Sequence, residues 1–302
     1  MEKIGIVILN YLNYKDTIEC VESLKDETYL NKEIIIVDNG SNNESWEELN
    51  KVYKDKKIHL VKSDENLGFA RGNNIGIKYA TEKLGCSFVL LVNNDTIFID
   101  KNLLSNMIDA YEEGVGLIGP RIISADNMEQ NPVPVTVSKE AIKNEYIVTQ
   151  SMKHKIRNSE AYINSKTIKF LKLMKKNIKN ILKGKPINGQ ISEISENKES
   201  LDLVLHGACV MLTKDYFKYY PALFPNTFLY YEENILTLLT KKVGLTKKFI
   251  NNTKIYHKED QSSKMSFNNL NSVKNKYLFD SMAECEKLFD LTYDDIIKKY
   301  SF

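Results

Sequence analysis

A chain of 302 residues that is 42% apolar and 27% charged has the composition of a folded globular protein, which excludes a disordered or fibrous class. That length suits one large α/β domain with appendages. The net charge of +2 excludes a broadly basic nucleic-acid-binding surface, and no run reaches the roughly 18 apolar residues that span a bilayer.

Cys20, Cys86, Cys209 and Cys285 are widely spaced without a CxxC pair, so neither a zinc site nor a disulfide framework is signalled. The stretch Met1 to Asn10 lacks the basic start and long apolar run of a signal peptide. A cytoplasmic protein is the expectation.

In chain order, short apolar runs predict strands at Ile4–Leu9, Glu33–Val37, Ile58–Lys62, Phe88–Val92 and Gly116–Gly119. Between them, Thr17, Val21 and Leu24, and then Leu103, Met107 and Ala110, recur at near-helical spacing. Strands alternating with helices build a Rossmann-like α/β core with a mostly parallel central sheet flanked by helices. The predicted strands end in polar clusters: Asn10-Tyr11, Asp38-Asn39-Gly40-Ser41, Asp64-Glu65-Asn66 and Asn93-Asn94-Asp95. The carboxyl edge of an open α/β sheet is where ligands bind.

Residues 138–200 turn lysine-rich without strand signals and predict a helical insertion between a first half, 1–137, and a second, 201–265. The second half carries a helix beginning near Tyr230, with Ile235, Leu236 and Leu239, and two short strands near Phe249 and Ile255. Residues 266–302 predict a helical tail.

Asp38 closes a strand where a carboxylate can accept from a nucleobase imide or a ribose hydroxyl; an ordinary Asx turn before Gly40 is the plainer alternative. Asn66-Leu67-Gly68 leads into a helix whose free N–H groups, with Arg71, suit a diphosphate, against a simple strand-to-helix connection. Asp95 can hold Mg²⁺ or Mn²⁺ with few protein helpers, while Asn93 contacts ribose and Asn94 lines the approach. Adjacent Glu232 and Glu233 at a helix start offer a general base, because the helix dipole favours the ionised form.

In this order, the motifs around Asp38, Arg71, Asp95 and Glu232-Glu233 resemble family 2 of the glycosyltransferases, which have the GT-A fold. They are most similar to bacterial members that build rhamnose-containing and other cell-surface polysaccharides. The resemblance covers about residues 3–125 and 201–260. It implies a nucleotide-sugar-binding half in 1–137 and an acceptor half in 201–265. Asp38 would contact the donor base, Arg71 the nucleotide and Asp95 the divalent metal (Mn²⁺ or Mg²⁺). Glu233 would be the base, with Glu232 the alternative, and His257 a metal or phosphate ligand. Asn93 stands where many relatives have Asp.

The implied reaction inverts the anomeric centre as an acceptor hydroxyl displaces the diphosphate of a nucleoside diphosphate sugar. The acceptor would be a glycan or lipid-linked glycan, and oligomers are not excluded. A nucleotidyltransferase, or an inactive nucleotide-binding scaffold, uses a similar crevice and stays open as an alternative.

Residues 166–185 hold eight lysines and no acid, with Leu171, Met174, Ile178 and Ile181 at helical spacing. Such a helix can lie on the anionic inner leaflet of the plasma membrane, or pack on the core with a solvated lysine face.

Overall fold

A computed structural model describes residues 1–54, 56–133, 137–157, 204–258 and 270–302. The chain divides into two compact units, one of residues 1–137 with 199–302 and one of 138–198. In the second unit the described residues form helix α5 (Lys139–Arg157). The basic stretch 166–185 lies outside the described residues.

The larger unit is built on an eight-stranded sheet ordered β3-β2-β1-β4-β7-β6-β8-β5. Its first four strands are β1 (Ile4–Asn10), β2 (Lys32–Asn39), β3 (His59–Ser63) and β4 (Phe88–Asn93), joined in parallel pairs. These coincide closely with the predicted runs. Near-continuous apolar sequence is what a strand needs when both of its faces are covered.

Even-numbered Ile4, Ile6 and Ile8 pack with Cys20, Val21, Leu24, Leu49 and Tyr53 from helices α1 (Tyr14–Ser23) and α2 (Ser45–Tyr53) and the short turn after α1. Odd-numbered Val7 and Leu9 face helix α3 (Gly68–Lys78). Gly72 and Gly76 lie so close to the sheet that a Cβ would sit 2.8 Å from Leu9 Cδ1 and 2.4 Å from Val7 Cγ1. Glycine on that stripe lets α3 descend onto the strands.

The antiparallel part of the sheet was legible only in part, through the run Gly116–Gly119 and the alternating core residues of Leu201–Leu212. Strand β5 (Thr96–Phe98) has three residues, too few to carry a periodicity, and strand β7 (Cys209–Leu212) has four. β7 runs antiparallel to both β4 and β6 (Val115–Ser124). The two strands expected near Phe249 and Ile255 are one, β8 (Thr246–His257), parallel to β6. Its polar middle is a bulge: the register jumps from Pro120↔Ile250 to Arg121↔Lys254.

The remaining helices are α4 (Leu103–Asp109), α6 (Lys214–Phe217), α7 (Glu232–Lys242), α8 (Leu270–Phe289) and α9 (Tyr293–Lys299). No helix among the described residues is long and apolar enough to cross a membrane.

Candidate active site

Parallel pairing sets Asn10 opposite Asp38 and Leu9 opposite Asn93, so three polar clusters share one sheet edge. Asp38 is only 1% exposed. Its Oδ2 accepts from Asn10 Nδ2 at 2.7 Å and its Oδ1 from the Ser41 N–H at 3.0 Å. Ser41 Oγ accepts in turn from the Leu12 N–H at 2.9 Å. Asp38 thus orders the turn that presents half-buried Tyr11.

Thr17, read from the sequence only as a position on a helix face, links two of the clusters. Its hydroxyl donates to Asn10 Oδ1 at 2.8 Å and accepts from Asn94 Nδ2 at 3.1 Å. Asn94 also donates to the Asn13 carbonyl at 3.1 Å and is 5% exposed. Its amide thus ties the β4–β5 turn to α1. Asn93 remains half-buried at the edge, its N–H donating to the Ala208 carbonyl at 3.0 Å.

At the start of α3, Asn66 Oδ1 takes the Gly68 N–H at 2.9 Å, Asn39 Oδ1 takes the Leu67 N–H at 3.1 Å, and the Phe228 carbonyl takes the Phe69 N–H at 2.7 Å. These three donors are taken by the protein itself. Arg71, exposed one turn into α3, has no ion-pair partner among the described residues.

Asp95 and His257 meet through the short β5. It pairs Thr96 with His257, and the Lys258 N–H donates to the Asp95 carbonyl at 2.9 Å. The side chains are both 8% exposed, with His257 Nε2 3.2 Å from Asp95 Oδ1. The other ring nitrogen, Nδ1, lies 2.9 Å from Gln130 Oε1.

The His206 ring packs edge-on against His257, with centroids 5.7 Å apart. Its Nδ1 accepts from the Ala208 N–H at 3.0 Å, which requires the unprotonated nitrogen. Burial lowers its pKa, against the raising influence of the nearby Glu233 and Asp95 charges.

Glu233 joins this group from α7. Its Oε1 accepts from the Gly207 N–H at 3.2 Å, and a Cβ on Gly207 would sit 2.6 Å from that oxygen. The helix is entered through Tyr230 and Tyr231, both left-handed at φ 69° and 72°. Non-glycine residues hold that conformation only when their surroundings enforce it, and such strain gathers at functional sites.

Glu232 differs from its neighbour. Burial, with the Glu233 charge second, pushes its carboxyl up to about 8. The native state therefore holds the proton more tightly than the unfolded chain, whose value is near 4.5. The stability this gives is complete below that lower value and is lost as pH rises through about 8. Glu232→Gln, permanently neutral, is expected to melt with the parent near pH 4 and above it near pH 9. A Tm series across that range checks the difference.

Donor chemistry fits a divalent ion of the Mn²⁺ or Mg²⁺ kind at Asp95 and His257: one carboxylate oxygen and one imidazole nitrogen, adjacent and nearly buried. Among the described residues no group of three or more His, Cys, Asp and Glu is placed to hold a metal alone. A site completed by substrate phosphate and water needs only one or two protein ligands.

The model of the family described as Glycosyl transferase family 2 matches residues 5–177. The chain belongs to this family. Among its relatives, the low-salt glycan biosynthesis hexosyltransferase Agl10 of Haloferax volcanii is 27% identical over 135 residues, 44% of this chain and 41% of that protein. The UDP-Glc:alpha-D-GlcNAc-diphosphoundecaprenol beta-1,3-glucosyltransferase WfaP of Escherichia coli is 34% identical over 113 residues, 37% of this chain and 42% of that protein. The chain thus aligns with about two fifths of the length of these curated relatives.

Among solved structures, the mannosyltransferase PcManGT from Pyrobaculum calidifontis, in complex with GDP-Man and Mn²⁺, superposes with a TM-score of 0.53 at 11% identity, over 87% of this chain and 59% of that one. S. aureus TarS 1-349, in complex with UDP, gives 0.50 at 12% identity, over 85% of this chain and 60% of that one. These likenesses establish the GT-A fold.

Proposed function

We propose that the chain transfers a sugar, with inversion, from a nucleoside diphosphate sugar to a hydroxyl of a glycan or lipid-linked acceptor in surface polysaccharide synthesis. The observation that carries this reading is the meeting of Asp95, His257, His206 and Glu233, from four separate segments, beside the strand ends that hold Asp38 and Asn10. Family membership, the nucleotide ligands of PcManGT and TarS, and the glycan-building roles in the relatives' names support it.

Each side chain then has a task. Asp38 and Asn10 shape the base subsite behind Tyr11, Asn93 faces the ribose, and Arg71 offers its planar cation to the diphosphate. Asp95 and His257 hold the metal, which when bound supplies Lewis-acid stabilisation to the leaving diphosphate.

Glu233 takes the proton from the attacking hydroxyl. Glu233 is taken as the base rather than Glu232 because its carboxylate reaches the Gly207 N–H beside His206, while burial pushes Glu232 up to about 8 and keeps it largely protonated at neutral pH. His206, neutral and fixed by the Ala208 N–H, orients the acceptor side without adding a competing charge.

Incubation with UDP-, GDP- and dTDP-sugars and Mn²⁺ tests the reading. Metal-dependent release of the nucleoside diphosphate is expected. Release of pyrophosphate, the product of nucleotidyl transfer, would overturn it, as would inertness toward the whole panel.

A further inference from the structure

We infer that the start of α3 is a positioning device for Glu233, acting through the backbone of residues 223–231; this rests on the reading of Glu233 as the base. The segment is held from two sides. On the α3 side, Asn74 Nδ2 donates to the Leu223 carbonyl and Asn74 Oδ1 accepts from the Leu223 N–H, each at 2.8 Å. One turn earlier, the Phe69 N–H donates to the Phe228 carbonyl at 2.7 Å.

On the α8 side, the Phe228 ring stacks on Tyr277 with centroids 4.5 Å apart and planes 27° apart. Ser281 Oγ donates to the Leu229 carbonyl at 3.1 Å. Directly after this clamp come the two left-handed tyrosines and then Glu232 and Glu233. A short, doubly anchored run therefore sets the register at which α7 begins.

Gly68 is where the clamp is tightest. At φ 80° it occupies backbone space that side chains rarely adopt, and a Cβ there would lie 2.2 Å from the Phe228 carbonyl oxygen. Phe69 can reach Phe228 only because nothing projects from Gly68. The strained tyrosines persist because both ends of the run are fixed. Gly68, Asn74 and Tyr277 are thus positioning residues: they touch no reacting atom in this scheme, and they fix where the Glu233 carboxylate stands.

The test measures kcat and donor KM for Mn²⁺-dependent nucleoside diphosphate release from the UDP-, GDP- and dTDP-sugar panel, together with calorimetric stoichiometry for UDP, GDP and dTDP. In Gly68→Ala, kcat is expected to fall roughly 10²-fold, the cost of an ångström-scale misplacement, while donor KM and stoichiometry hold. Tyr277→Ala is expected to follow the same pattern, and Tyr277→Phe, which keeps the stack, to retain kcat.

The tyrosine pair decides the matter if Gly68→Ala loses stoichiometry, because it adds no backbone strain. Wild-type kcat in Tyr277→Ala, or kcat falling there only in step with stoichiometry, overturns the clamp. Glu233→Gln, run alongside, separates the two failures: if it is inactive while Tyr277→Ala is normal, only the clamp is wrong. If Glu233→Gln is itself fully active, the base assignment falls, and the clamp with it.

Discussion

Glu233→Gln should abolish transfer while leaving donor binding intact. The amide keeps the size of the side chain and an oxygen for the Gly207 N–H, now accepted at 3.2 Å, so α7 has no reason to move. What disappears is the capacity to take a proton from the acceptor hydroxyl. General base catalysis is typically worth about 10² to 10⁴ in rate, and kcat is expected to drop within that range. Steady-state kinetics on the released nucleoside diphosphate give kcat, and titration with UDP, GDP or dTDP in Mn²⁺ gives the unchanged affinity. A variant that loses donor affinity and kcat equally would mean that Glu233 contributes to donor binding rather than to proton transfer.

Asp95→Ala should fail differently. It removes one of the two adjacent donors and leaves His257 facing the gap alone. Lewis-acid stabilisation of a leaving phosphate is worth several kcal/mol, and each 1.36 kcal/mol is tenfold in rate, so a loss of roughly 10² to 10³ in turnover is expected. Donor affinity should fall with it, because Asp95 and His257 would hold a divalent cation that supplies positive charge to the donor phosphates. A thermal-shift experiment reads this directly: a ligand of the native state raises Tm, and the Mn²⁺-dependent part of the nucleotide's shift should vanish in Asp95→Ala. Persistence of that Mn²⁺ effect would place the ion elsewhere.

Much of the parallel half of the fold is legible because its strands are buried on both faces and so read as continuous apolar runs. β5 is not, since three residues define no period, and yet it is what carries His257 to Asp95. The sequence could offer both residues as candidates, but not the ladder that joins them. Short polar residues were the weakest ground. Asn39 and Asn94 sit in the same strand-end clusters as Asn93 and look alike in sequence, yet their amides hydrogen-bond to neighbouring backbone and side chains.

Gly68 shows the same limit. A glycine before a helix reads equally as an anion cradle or as a site of close backbone approach, and only the position of Phe228, far along the chain, separates the two. The resemblance favoured Glu233 over Glu232, but the physical difference between the two was not legible in sequence. It turns on burial: one carboxyl is pushed up to about 8, and its neighbour reaches Gly207 beside His206.

The most direct test of the division of labour is a titration of UDP, GDP and dTDP, with Mn²⁺ present, into the parent, Glu233→Gln and Asp95→Ala. Parent and Glu233→Gln should bind one of these nucleotides equally, and Asp95→Ala should lose that binding. Equal loss in both variants, or loss in neither, would contradict a site in which Asp95 holds the donor through its metal and Glu233 acts on the acceptor alone.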